Sequence, residues 1–280
     1  MSGYFAGVDI GSSMTKVVIA SEGIVASLIG PTGPEHRRLA HKVMEEALRQ
    51  AHLGFGDLTY VVATGYGRIN VPFADRQVTE ITCHAKGLHS LLPSARTVID
   101  IGGQDSKGIK IKDGKVVAFV MNDKCAAGTG RFLEVIADAL AVPLEKLGEL
   151  SLSAPHPAVV SNTCTVFAEQ EVIAQLAGGE SVPNLIAGIH DAIAARIYGM
   201  VSKLKIEQEV AVTGGGAKNI GLVRALEARF GCPLLVPPEP LITGALGAAL
   251  VGKEAYDQAV RRGETLERST AGLREATFFS

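Results

Sequence analysis

Gly7-Val8-Asp9-Ile10-Gly11-Ser12-Ser13-Met14-Thr15-Lys16 and Val98-Ile99-Asp100-Ile101-Gly102-Gly103-Gln104-Asp105-Ser106-Lys107 are two versions of one pattern. Each runs from an apolar stretch into Asp-Ile-Gly, turns through small or polar residues, and carries a lysine seven places after the aspartate. A second apolar run stands behind each turn, Val17 to Ala20 and Gly108 to Ile111. Two such runs around a glycine turn predict a β-hairpin, and not the strand-to-helix turn of a dinucleotide-binding unit. In the second copy, Asp113-Gly114 turns the chain again into Val116 to Val120. The copies start about ninety residues apart, so the chain reads as two lobes related by duplication.

The length agrees, since 280 residues at about 150 per domain suggest two lobes. We place the first at residues 1–95 with part of the C-terminal helical region, the second at 96–250, and a tail at 251–280. A 47% apolar content supplies sizeable cores and excludes disorder and collagen-like repeats. With 27 basic and 29 acidic residues the net charge is −2, which argues against a nucleic-acid partner. No apolar run reaches the roughly 18 residues of a membrane span. Tyr4 to Asp9 already reads as a strand rather than a secretory leader, so the expected location is the cytoplasm. Glu35 to Ala51 is an amphipathic helix, apolar at Leu39, Val43, Ala47 and Leu48. Gly128 to Leu140, Val166 to Ala177, Asn184 to Lys203 and Thr243 to Ala259 also read as helices, the last small-residue-rich for close packing. The polar stretch from Gly263 to Ser280 reads as loosely held.

An aspartate at a strand end followed by glycine has a chemical use. The glycine lets backbone N–H groups approach phosphate oxygens, and the carboxylate can hold a hydrated Mg²⁺. An ordinary glycine hairpin with a solvated aspartate explains either copy alone equally well; two copies are harder to explain so. A third element is Ala211-Val212-Thr213-Gly214-Gly215-Gly216-Ala217-Lys218-Asn219, a strand opening onto triple glycine and a helix. Such a turn can lie flat against an adenosine. Neither Gly-x-x-x-x-Gly-Lys-Ser/Thr nor Gly-x-Gly-x-x-Gly occurs.

In the order Asp-Ile-Gly-Ser, Asp-Ile-Gly-Gly, Thr-Gly-Gly-Gly, the chain resembles the superfamily of acetate and sugar kinases, Hsp70 and actin. The resemblance implies an α/β, duplicated ribonuclease H-like, two-lobed ATPase fold. It implies that Asp9 and Asp100 flank Mg²⁺ and that Gly11, Ser12, Ser13, Gly102 and Gly103 cradle the phosphates of ATP or ADP. Gly214, Gly215 and Gly216 would border the adenosine. Lys16 and Lys107 would meet phosphates, although a strand lysine is more often solvated. Gln104 would orient the attacking water, which it can do without abstracting a proton; a turn residue bonding its own backbone is the equal alternative.

Four cysteines are too few and too scattered for a disulfide scaffold. Cys125, in Asn122-Asp123-Lys124-Cys125-Ala126-Ala127-Gly128-Thr129-Gly130-Arg131-Phe132-Leu133, and Cys164, in Ser161-Asn162-Thr163-Cys164-Thr165-Val166-Phe167-Ala168-Glu169, both precede expected helices. The positive end of a helix favours thiolate; the duller explanation is two small buried thiols. Zinc fits less well without a Cys-x-x-Cys pair. Cys83 reads as a buried helical thiol, Cys232 as an inward-packing strand start, and Tyr66 as a cleft, partner-surface or plain loop residue. Two thiolates are half the four of a cubane [4Fe–4S] cluster, and a symmetric homodimer would supply the rest.

These two strings, with Ala63-Thr64-Gly65-Tyr66-Gly67-Arg68 and Ile101-Gly102-Gly103-Gln104-Asp105, closely resemble the activator component of 2-hydroxyacyl-CoA dehydratases over residues 5 to 250. That family shares its ATPase type with subunits of benzoyl-CoA reductase and reductases of double-cubane-cluster proteins. The resemblance implies a homodimer sharing one [4Fe–4S] cluster on Cys125 and Cys164 and loaded by a ferredoxin or flavodoxin. ATP hydrolysis would drive one low-potential electron into an iron–sulfur dehydratase or reductase. Competing readings are the benzoyl-CoA reductase or double-cubane role, and a small-molecule kinase with Asp123 as base. A filament-forming or chaperone-like ATP binder lacks any stretch resembling a peptide-binding domain.

Overall fold

The computed structural model describes residues 3–160, 164–270 and 272–273. The expected hairpins form first in each half. Strands β1 (Tyr4–Ile10), β2 (Met14–Ala20) and β3 (Ile24–Pro31) make an antiparallel meander. Helix α1 (His36–Ala51) follows, starting and ending where its apolar spacing says it should. Strand β4 (Leu58–Thr64) then lies parallel to β1, and the short β5 (Arg76–Gln77) lies parallel to β4. Helix α2 (Glu80–Leu91) closes this stretch.

The second half repeats the sequence of events. Strands β6 (Thr97–Ile101), β7 (Ser106–Lys112) and β8 (Lys115–Asn122) are followed by helices α3 (Gly130–Ala139), α4 (Leu147–Leu152), α5 (Thr165–Ala177) and α6 (Val182–Val201). Strand β9 (Val210–Thr213), helix α7 (Ile220–Phe230) and strand β10 (Leu234–Leu235) come next. Helix α8 (Thr243–Arg262) is last. The sheets order as β3-β2-β1-β4-β5 and β8-β7-β6-β9-β10. Strand for strand these are one topology, the duplicated ribonuclease H-like α/β fold expected from the resemblance.

The chain divides into two compact units. Of the described residues, the first holds those up to Pro93, Asp113–Val116 and those from Leu241 on; the second holds Ser94–Lys112 and those from Val117 to Pro240. In the first unit α1 covers one sheet face with Val43, Met44, Ala47 and Leu48. The other face is covered by α8, whose buried Ala245, Ala248 and Ala249 let it lie close against β1 and β4. In the second unit Ile99, Ile101 and Val212 of the sheet share one core with Phe132, Ile136, Ile189 and Leu222 of the helices. Burying even one such side chain is worth about 1.5–3 kcal/mol.

Three sequence expectations change in detail. Helix α3 begins at Gly130, not Gly128, because Gly128 takes φ +89 and cannot belong to a right-handed helix. Helix α8 ends at Arg262 rather than the expected Ala259, so residues 251–262 of the expected tail are helical. The stretch after it is not loose where it is described. Arg268 Nε bonds Asp75 Oδ1 at 3.0 Å, and its Nη1 donates to the Leu58 and Thr59 carbonyls at 2.8 Å. The Ser269 amide also donates to Asp75. Residues 274–280 of the expected tail, and Ser161, Asn162 and Thr163 of the Cys164 string, lie outside the described residues.

Candidate functional site

The hairpin register explains the lysine seven places after each aspartate. In the first unit Asp9 pairs across the strands with Lys16, and Lys16 Nζ sits 3.0 Å from Asp9 Oδ2. The turn between them, Gly11 to Ser13, is closed by the Gly11 amide donating to the Met14 carbonyl at 3.1 Å. Gly65, directly after β4, has φ +84, and a side chain there would overlap Asp9 Oδ1. At the start of α8 a methyl on Gly244 would lie 2.9 Å from Asp9 Oδ2 and 3.2 Å from His84 Nε2. His84 in turn bonds Thr243 Oγ1 through Nδ1 at 2.9 Å. The buried Asp9 carboxylate is thus bordered by one ammonium and by backbone that only glycine permits.

The second unit repeats this geometry with an added charge. Asp100 pairs with Lys107, whose Nζ lies 3.3 Å from Asp100 Oδ2 and 2.7 Å from Asp105 Oδ2. Two carboxylates and one ammonium leave a formal −1, where Asp9 and Lys16 cancel. Gly214, directly after β9, has φ +80, and a side chain there would come within 2.7 Å of Asp100 Oδ1. Gln104 is exposed in the turn. The Gly130 and Arg131 amides donate to the Gly102 and Gly103 carbonyls, both at 2.8 Å.

The structure also exposes a repeat that our reading of the sequence missed. Thr64-Gly65-Tyr66-Gly67-Arg68-Ile69-Asn70 and Thr213-Gly214-Gly215-Gly216-Ala217-Lys218-Asn219 share Thr-Gly-x-Gly-x-x-Asn. Both stand at the ends of strands parallel to the Asp-bearing strand, with Thr64 in register with Asp9 and Thr213 with Asp100. Both asparagines meet a histidine: Asn70 Nδ2 lies 3.3 Å from His36 Nδ1, and Asn219 Nδ2 lies 3.0 Å from His190 Nε2. Asn219 also caps α7, accepting from the Leu222 amide. His190 is fully buried, and desolvation pulls its pKa down to about 4, so it is neutral at pH 7. Tyr66, by contrast, is exposed.

These residues fit a magnesium nucleotide on one observation. Each aspartate turns one oxygen to a lysine and the other to a glycine that keeps side chains away from it. For the cysteines the donor chemistry decides. Cys83 is fully buried beside Thr64, and desolvation pushes its thiol up to about 12. Burial and the nearby Glu209 also raise Cys232. Cys125 and Cys164 are free and half-buried, both in the second unit, where α3 packs against α5. Cys164 is the N-cap of α5 and spends no side-chain bond on it. Cys125 lies five residues before α3, so the helix-dipole argument applies to Cys164 alone. Among the described residues no group of three or more metal-ligating side chains gathers in one chain. Two thiols are fewer than the four that a cubane cluster takes.

A family model described as the BadF/BadG/BcrA/BcrD ATPase family matches residues 6–252. This chain belongs to that family. The activator of lactoyl-CoA dehydratase from Anaerotignum propionicum is 47% identical, covering 90% of this chain and 98% of that protein. The crystal structure of the Acidaminococcus fermentans (R)-2-hydroxyglutaryl-CoA dehydratase component A superposes with a TM-score of 0.88 at 41% identity, covering 91% of this chain and 100% of that one. The Clostridium difficile activator of 2-hydroxyisocaproyl-CoA dehydratase, with bound ADPNP, gives 0.87 at 40% identity, covering 94% and 99%. No helix among the described residues is long and apolar enough to cross a membrane.

Proposed function

We propose that this chain is the ATP-hydrolysing activator of a 2-hydroxyacyl-CoA dehydratase, delivering single low-potential electrons to that iron–sulfur partner. The reading is carried by the family match over residues 6–252 together with Cys125 and Cys164, free and half-buried in one unit that also holds the half-buried Cys232. The 47% identity to an activator of lactoyl-CoA dehydratase supports the same partner class. Cys125 and Cys164 of two copies would hold one [4Fe–4S] cluster, which when bound supplies a one-electron store of low potential. Val166 and Phe167, which follow Cys164 after Thr165, are 61% and 68% exposed, an apolar pair suited to burial by a second copy. A ferredoxin or flavodoxin would be the donor.

Within each unit the residues have separate tasks. The Gly11 and Gly102 amides close their own turns, onto the Met14 and Asp105 carbonyls, and the amides of Ser12, Ser13 and Gly103 offer donors to phosphate oxygens. In its own unit, each of Asp9 and Asp100 would be the carboxylate available to a hydrated Mg²⁺, and Lys16 and Lys107 fix those carboxylates in place. Gly214 and Gly215, where the chain enters a tight 3-10 turn, would border the adenosine, and exposed Gln104 orients the water that attacks the γ-phosphate. Anaerobic purification tests the whole reading. The expected product is a brown dimer with about four irons per two chains, colourless after Cys125→Ser or Cys164→Ser. A colourless, iron-free monomer that phosphorylates a sugar would overturn it.

A further inference from the structure

The first amides of a helix have no partner within that helix. In α3 those of Gly130 and Arg131 are taken up by the Gly102 and Gly103 carbonyls of the second turn. The approach is backbone to backbone: a methyl on Gly130 would lie 3.1 Å from the Gly102 oxygen and 3.3 Å from Gly103 Cα. On the other side of Thr129 the chain folds back on itself. The Thr129 amide and hydroxyl both donate to the Ala126 carbonyl, at 3.0 and 2.7 Å. Asn122, the last residue of β8, donates through Nδ2 to the Cys125 carbonyl at 2.8 Å and to the Ala127 carbonyl at 3.0 Å. Both partners are carbonyl oxygens, so only the amide nitrogen can serve. The Gly102–Gly103 turn, the start of α3 and the Cys125 loop are therefore one hydrogen-bonded body inside the second unit. The first turn is tied differently, with Ser13 O accepting from the Thr32 amide of its own sheet.

We propose that this body transmits the nucleotide state of the second turn to the Cys125 thiol, with Asn122 as the positioning residue that holds the cysteine loop to it. The inference rests on the ATP-dependent reading above. Displacing the turn alone would orphan two helix amides, so the turn carries α3 and the loop with it. Cutting the Asn122 clamp leaves the turn and α3 coupled while Cys125 is released.

The test is hydrogen–deuterium exchange on the full-length chain, with and without a non-hydrolysable ATP analogue and Mg²⁺. It is paired with the alkylation rate of Cys125 in the iron-free chain. The analogue should slow exchange at residues 102–104 and across 122–131, and slow Cys125 alkylation by about tenfold. Asn122→Asp keeps the shape and removes the donor. It should retain protection at 102–104 and at Gly130–Arg131, while the alkylation response drops below about twofold. If the unsubstituted chain protects 102–104 with no response at 122–131 or at Cys125, the proposed transmission is wrong, whatever the variant does. A full response in Asn122→Asp removes the role of Asn122. If the analogue protects nothing, the nucleotide reading itself fails, and this inference with it.

Discussion

The two Asp-Ile-Gly hairpins share strands, register and a trailing Thr-Gly turn, and they differ in what is fastened to them. Asp9 and Lys16 form a neutral pair beside the start of α8. Asp100 and Asp105 both hold Lys107, and the turn between them is bonded to the helix that follows a candidate cluster cysteine. Duplication supplied two similar cradles, and the attachments made them unequal: in the second unit the turn is bonded to the start of the helix behind Cys125.

The largest test of that inequality is the lysine pair. Lys107→Met strands buried Asp100 beside a second, partly solvated carboxylate, Asp105, and should cost about 3–5 kcal/mol in urea denaturation. Lys16→Met strands one, and should cost about 1–3 kcal/mol. Equal losses would break the comparison.

The glycines test what the units share. Gly65→Ala and Gly214→Ala each force a side chain into a left-handed backbone and against an aspartate oxygen. Each should lose about 3 kcal/mol by thermal or chemical unfolding. A markedly smaller loss in one would show that the cradles differ in their backbone as well as their attachments.

Acid should find the second unit first. His190 has a pKa of about 4 when folded and 6.5 when free, so between those values the unfolded chain binds the extra proton. Stability is then unaffected above pH 6.5 and falls as the pH drops from 6.5 towards 4, by up to about 3 kcal/mol. Denaturation midpoints across that range should flatten in His190→Gln. An unchanged acid slope would remove His190 from the account. The smallest effect belongs to the first unit: Arg268→Ala should cost about 1 kcal/mol by unfolding, because part of that side chain is solvated. Full retention of stability would make the segment after α8 as loose as its composition suggests.

Much of this was legible in the sequence where periodicity speaks. The Asp-Ile-Gly repeat, the hairpins behind it and the ends of α1 follow from alternation and helical spacing. The Asp–Lys pairs were not, since a spacing of seven means contact only once the hairpin register is known. The Thr-Gly-x-Gly-x-x-Asn repeat was visible in principle, but Tyr66 and Arg68 stand where the second copy has Gly215 and Ala217. His84 meeting Thr243 spans 159 positions, and no local pattern reports such a contact. Arg268 was misjudged because a polar run looks alike whether water or a buried aspartate receives it.

The return of α8 has a consequence for how the molecule is made. Phe5, Val18, Tyr60 and Val62 belong to the earliest strands, yet the helix that covers them starts at Thr243. On the ribosome the stretch from 117 to 240 can assemble while that sheet face is still bare. The first unit is therefore begun first and finished last. A chain stopped before Thr243 would keep an open apolar sheet face, and its fate would be aggregation rather than a smaller working protein.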